Sequence, residues 1–292
     1  MRPERYFFDQ GISMQSVKHR ARHNQGTAIL GALLLLAAVA APLPAHAQDP
    51  AAFTKLLAAP HRTPGNVVRD RYRHPAETLA FFGVRPDSVV VEITPGSTGY
   101  YLEILAPWLK EKGRYIAANR DESLPQYLPD HEKLLARLRA EPKLYDRVVV
   151  TPFRADRHEI APAGSADFVI SFRSLHNWMD RNEVQESLRA FHKALKPGGV
   201  LGIVDHRARM DLPQDPQAKS GYVRQDVAIG LIEKGGFKFA GASEVNANPK
   251  DTKDYQEGVW TLPPTYRLKD QDRAKYEAIG ESDRWTLRFV KQ

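Results

Sequence analysis

The amino-acid sequence points to an α/β domain: a mostly parallel sheet covered by helices on both faces. Three observations carry that reading. Short apolar runs rich in β-branched residues (Ser88–Ile93, Tyr115–Ala118, Arg147–Thr151, Ala166–Phe172, Val200–Asp205) alternate with longer amphipathic stretches, as strands and crossover helices do in a parallel sheet. Two further apolar runs, Phe237–Val245 and Trp285–Val290, close the chain with no crossover helix pattern between them, which suits an antiparallel pair at one sheet edge. The 245 residues after position 47 suffice for one good-sized core.

The first 47 residues stand apart. Basic Lys18, Arg20 and Arg22 precede an apolar run from Ala28 to Ala40, followed by Pro42, Pro44 and the small-residue site Ala45–His46–Ala47. That order is a secretory signal peptide, and the run falls short of the roughly 20 residues that span a membrane. Met14 would open a more typical signal. We therefore expect cleavage near Ala47–Gln48, a periplasmic or secreted protein, and no stable membrane anchor afterwards. Removing residues 1–47 takes away five Lys/Arg and two Asp/Glu and lowers the formal charge from +7 to +4. The remaining excess is scattered, with no block of like charge, which argues against a nucleic-acid partner. The chain has no cysteine, which excludes a disulfide framework, a thiolate zinc site, a cysteine nucleophile and a lipoprotein anchor.

Along the remainder, residues 48–74 read as a polar, helix-prone lead-in. A helix starts near His74–Pro75, runs through Leu79 and Phe81, and stops at Gly83. Further helices are expected over Tyr100–Glu111, His131–Ala140, Asn182–Leu195 and Val223–Gly235. In Asn182–Leu195, the residues Val184, Leu188, Phe191 and Leu195 form one stripe facing the sheet. The stretch 246–284, rich in Pro, Asp and Lys, is too long for a plain loop and is either a lid or a packed excursion. Its aromatics Tyr255, Trp260 and Tyr266 either roof a substrate pocket or form the excursion's own core.

Three segments can carry chemistry. After the first strand comes Glu92–Ile93–Thr94–Pro95–Gly96–Ser97–Thr98–Gly99, a glycine-bearing turn into a helix. Such a turn lets a ligand approach the backbone and points helix-start amides at it, although it also occurs for purely structural reasons. The second segment runs past the carboxyl end of the fourth strand: Phe172–Arg173–Ser174–Leu175–His176–Asn177–Trp178. Open α/β sheets place ligands there. Third, Lys196–Pro197–Gly198–Gly199 turns into the strand that ends at Asp205–His206. His176, Asp205 and His206 lack any compact metal-ligand spacing, so no metal is expected.

These segments, in this order, resemble class I S-adenosylmethionine-dependent methyltransferases from about Asp70 to Gln292. The stretches Arg73–Leu79, Phe172–Trp178 and Gly258–Pro264 resemble a branch of predicted exported bacterial methyltransferases most specifically. The resemblance implies a Rossmann-like seven-stranded sheet whose last strand is antiparallel. It implies S-adenosyl-L-methionine as cofactor and a methyl acceptor that is a small molecule. It places Glu92 at the acid opening the family's glycine loop, Gly96 at the central glycine, Asn119 at the ribose position and Asp156 at the adenine position. The family's E/D-x-G-x-G-x-G is altered: Thr94 and Thr98 stand at the first and third glycines, and Gly99 comes one residue late.

Methyl transfer needs an aligned nucleophile and, for an –OH or –NH acceptor, a base to take its proton. His176 is the first candidate, Asp205 or His206 the second, with Arg173 positioning an anionic group. Two other readings stand beside this one. The altered loop suits a non-catalytic binding protein on the same scaffold. Gly96, Gly99 and Asn119 also give part of a nicotinamide-binding fingerprint, which lacks its first glycine and its acid.

Overall fold

The computed structural model describes residues 50–292 apart from Ala155 and His158; the expected signal peptide lies outside the described residues. Seven strands form one sheet: β1 (Val89–Ile93), β2 (Arg114–Arg120), β3 (Val149–Phe153), β4 (Ala166–Phe172), β5 (Leu195–His206), β6 (Phe237–Ser243) and β7 (Arg284–Lys291). Their order is β3-β2-β1-β4-β5-β7-β6. β1 to β5 run parallel, and β7 is antiparallel to both β5 and β6. The expected architecture is therefore present, with the terminal antiparallel pair at the edge.

Strand order reverses between β1 and β4, and open sheets leave a crevice at the carboxyl ends of such neighbours. Here the crevice lies where Ile93 pairs with Ala118 on one side and Ser171 on the other. The period of two along β1 decides which side chains go where. Val91 and Ile93 enter the core on one face with Trp178, Leu188 and Phe191. Val90 enters the other, with Leu79, Phe82, Leu102 and Leu105. Each such side chain, once fully buried, contributes about 1.5–3 kcal/mol.

The helices are α1 (Pro50–Leu57), α2 (Pro64–Val67), α3 (Asp70–Arg73), α4 (Pro75–Phe82), α5 (Leu102–Leu109), α6 (Leu128–Ala140), α7 (Pro142–Tyr145), α8 (Leu175–Asp180), α9 (Val184–Ala194), α10 (Gln225–Lys234) and α11 (Arg273–Ile279). α4 has Pro at its first turn and ends on left-handed Gly83, as its sequence dictates. The lead-in packs rather than trails. Phe53 meets Trp108 edge-on at 4.8 Å, and Arg62 makes a two-pronged pair with Asp70.

Two expectations need adjustment. Lys196–Gly199 does not precede its strand as a separate turn; β5 begins at Leu195 and carries these residues as an irregularity between its Ala166 and Phe168 pairings. The last connection spans 244–283 and is packed. It holds a short 3-10 turn at Gly258–Thr261 together with α11. Asn246 donates to Thr78 and Thr286, Asp251 accepts from Tyr222 and from the Asp283 amide, and the Val259 amide donates to the Ser220 carbonyl.

Candidate functional site

A cavity of about 380 Å3 opens over the carboxyl ends of β1, β2, β4 and β5. Its floor is the turn Thr94–Thr98. Thr94 and Gly96 have φ of 49° and 71°, in the left-handed region. Glycine reaches that region freely, whereas a β-branched residue is strained there. Thr94 thus adopts, at the family's first glycine position, a backbone that glycine would adopt without cost. The far end of the turn is held from outside: the Thr98 carbonyl accepts from Asn66 Nδ2 at 2.9 Å and Arg137 Nη1 at 2.6 Å. Among the described residues the amides of Gly96, Ser97 and Thr98 donate to no backbone carbonyl, so they stay available to a ligand.

Asn119, at the end of β2, is 2% exposed and lines the same cavity, and its Nδ2 has no partner among the described residues. A second recess of about 470 Å3 shares Thr94, Arg120, Ser174 and Asn177 with the first and extends to Phe153, Asp156 and Trp178. Free turn amides, an unpaired buried amide at the ribose position and an aromatic-lined extension fit an adenosyl amino acid.

On the opposite wall, α8 begins two residues after Arg173, whose φ of 59° is again left-handed. The helix brings His176 beside the end of β5. His176 Nδ1 lies 2.9 Å from Asp205 Oδ1, and the His176 amide donates to Oδ2 at 3.1 Å. The His206 amide donates to Oδ1 at 2.8 Å. Burial works against the Asp205 charge, but His176 and His206 beside it prevail and hold its carboxyl below the usual range. Asp205 is therefore ionised, so His176 donates to it from Nδ1 and presents Nε2 to Asn177. Asn177 Nδ2 lies 3.0 Å from that Nε2. His206 is pushed well below the usual histidine range by burial, despite the pull of Asp205; its Nδ1 contacts Ser282 Oγ at 2.5 Å. Trp260 crosses His176 edge-on at 6.0 Å and lines the cavity with Pro263 and Pro264.

Behind Arg173 the wall is cationic. Arg69 Nε reaches Glu281 Oε1 at 2.6 Å, while Arg73 Nε and Arg284 Nη1 share Oε2 at 3.2 and 3.0 Å. Glu92 lies on this same side of the sheet, 3% exposed, accepting from the Tyr115 hydroxyl at 2.5 Å. Burial pushes its carboxyl up to about 7, against the pull of Tyr115 and Arg73.

Of the residues singled out in the sequence, Thr94, Pro95, Gly96, Ser97, Thr98, Asn119, Arg173, His176 and His206 line the main cavity. Asp205 stands behind His176. Asp156 lines the second recess, its carboxylate gripped by Arg154 on a largely exposed edge. Glu92 and Gly99 are not among the residues lining either space; Gly99 packs on Leu102 and Arg137. His176, Asp205 and His206, scattered in sequence, come together with potential ligand atoms within 4.8 Å. The Asp205 oxygens are, however, already engaged by a ring nitrogen and two amides. Sequence reasoning missed Arg73, Arg284 and Glu281 as a group, because arginine and glutamate usually mark surface and only burial distinguishes these. Of the three excursion aromatics, Trp260 lines the cavity, Tyr255 packs on Tyr276, and Tyr266 stacks with Arg273.

Residues 98–203 match the family model of a methyltransferase domain. An S-adenosylmethionine-dependent methyltransferase from Aquifex aeolicus superposes with a TM-score of 0.51 at 17% identity, covering 84% of this chain and all of that one. The [4+2]-cyclase SpnF superposes with a TM-score of 0.53 at 12% identity, covering 75% of this chain and 80% of that one. At such identities the likeness establishes the fold alone. No curated protein matches the sequence. The match over residues 98–203 gives the chain a methyltransferase domain, and with it an enzymatic role and S-adenosyl-L-methionine as cofactor; the superpositions give it the class I fold. Among the described residues, no helix is long and apolar enough to cross a membrane.

Proposed function

We propose that this is an exported enzyme that transfers the methyl group of S-adenosylmethionine to an –OH or –NH of a small-molecule acceptor, with His176 as general base. The observation that carries the reading is the His176–Asp205 pair in the wall of the cavity whose floor is the Thr94–Thr98 turn. The cofactor, when bound, supplies an electrophilic methyl on an excellent leaving group, so the protein's tasks are alignment and proton removal. The turn amides and Asn119 hold the cofactor. Asp205 fixes the His176 ring and stabilises it once it is protonated, the role of a buried carboxylate beside a catalytic imidazole. An acceptor hydroxyl displacing the Asn177 amide from Nε2 gives its proton there. Trp260, Pro263 and Pro264 exclude water above it.

Calorimetric titration with S-adenosylhomocysteine tests the first half, and Gly96→Val, which forces a branched side chain onto a left-handed residue in the cavity floor, is the control. Saturable binding that Gly96→Val abolishes is expected; no binding at millimolar ligand sinks the proposal. For the second half, His176→Gln should lower kcat by about 10²–10⁴ while leaving S-adenosylhomocysteine affinity intact. Unchanged turnover removes His176 from the mechanism.

A further inference from the structure

The cationic wall is under-neutralised. Three guanidiniums (Arg69, Arg73 and Arg284) pair with one carboxylate, Glu281, and a fourth, Arg173, lies near it with no ion pair among the described residues. Arg73 and Arg284 are 4% and 3% exposed. Arg69 Nη2, Arg73 Nη2, Arg173 Nε and Arg284 Nε are buried and reach no acceptor among the described residues. Glu92 lies near enough to feel Arg73 but accepts from Tyr115 and makes no ion pair with any of the four among the described residues. An uncompensated buried charge is strongly unfavourable, and each orphaned donor adds to that. A fold carries such a surplus at little loss when an anion completes it.

The shape of the site selects the anion. Arg73, Arg173 and Arg284 surround a recess of about 10 Å3 together with Asn246. That is room for roughly one water-sized group. Guanidinium forks bind oxyanions, and a space this small admits one oxygen of such a group while its remaining atoms stay in the main cavity beside Arg173. Phe172 and Arg173 line both the recess and the main cavity, so the two spaces adjoin at Arg173.

We propose that Arg73, Arg173 and Arg284 form a subsite for a carboxylate on the methyl acceptor, so that the acceptor is a small carboxylic acid whose far end reaches His176. This assignment rests on the methyl-transfer reading above. The cofactor's amino-acid end bears the same group, and the test separates the two sources.

Full-length protein, free and saturated with S-adenosylhomocysteine, is titrated calorimetrically with acetate, with neutral acetamide and with inorganic phosphate. The subsite predicts that acetate binds saturably to both forms and acetamide to neither. Arg173→Gln, at the accessible rim, should weaken acetate by about tenfold or more while S-adenosylhomocysteine binds as before. Arg173→Lys should fall between, since it keeps the charge and loses the fork. Three results overturn the proposal. One is that acetate binds neither form, or that inorganic phosphate binds both as well as acetate does. Another is that acetamide binds as acetate does, or that Arg173→Gln binds acetate as wild type does. The last is that S-adenosylhomocysteine expels acetate, with Arg173→Gln weakening it but not 5′-methylthioadenosine, which has no carboxylate. If acetate binds through Arg173 but S-adenosylhomocysteine does not bind at all, the methyl-transfer reading fails and the carboxylate subsite stands.

Discussion

On β1 the alternation of side chains sends Glu92 to the face of Val90, beneath the helices, rather than to the cavity at the strand's end. Its environment penalises the charged form, and its carboxyl is pushed up to about 7 from a usual 4.5. Below the lower value it is protonated whether the chain is folded or not. Between the two, the unfolded chain releases its proton first, so folding becomes less favourable as pH rises; above 7 the full penalty remains. Glu92→Gln should therefore be more stable than wild type at pH 8, by about 1–3 kcal/mol, and nearly equal to it at pH 4. Thermal melts across that range check this; a variant no more stable at pH 8 than wild type would show that the ionised carboxylate is solvated or paired in the fold. Thr94 and Arg173 add a second theme. Each follows a strand end, each is left-handed, and both line the cavity, so two strained junctions meet at the site.

The elements divide into those whose pattern is self-sufficient and those that depend on neighbours. β4 has the bounds its apolar run predicts, Ala166–Phe172, and the Val184–Phe191 stripe is a helix ending at Ala194. α8 was not legible. Its six residues mix Leu, His, Asn and Trp, and Trp178 and Leu175 are drawn into the core by contacts with Phe153 and Phe191 that lie elsewhere in the chain. The 244–283 connection was readable as an excursion but not in its folding, because its anchors are single polar bonds to distant partners. Gly258 is one such anchor: with φ of 55° and a backbone in contact distance of Ser220, it has no room for a Cβ. Gly258→Ala should cost about 2 kcal/mol or more and lower Tm by about 5 °C. It should also weaken acceptor binding through Trp260, two residues on; a melt unchanged from wild type would show that the excursion adjusts freely.

Across the whole molecule, the sequence made the sheet, its edge pair and the crevice legible, because hydrophobic periodicity reports which faces are covered. The candidate site was legible where it follows strand ends: the turn at Gly96, Asn119, and the run from Arg173 to His176. Its cationic wall was not. Arg69, Arg73, Glu281 and Arg284 come from the two ends of the folded chain, and their pairing exists only after β7 inserts between β5 and β6.

The hold that α2 keeps on the Thr98 carbonyl has a bearing on the cleft as a whole. Asn66→Ala removes one of two donors there and should weaken S-adenosylhomocysteine binding by about two- to tenfold, as a lost hydrogen bond implies, with little change in Tm. Equal affinity would make Arg137 a sufficient clamp. Because that donor lies in the lead-in, and Phe53 and Arg62 tie the same stretch to Trp108 and Asp70, the segment ahead of the sheet is a buttress of the turn.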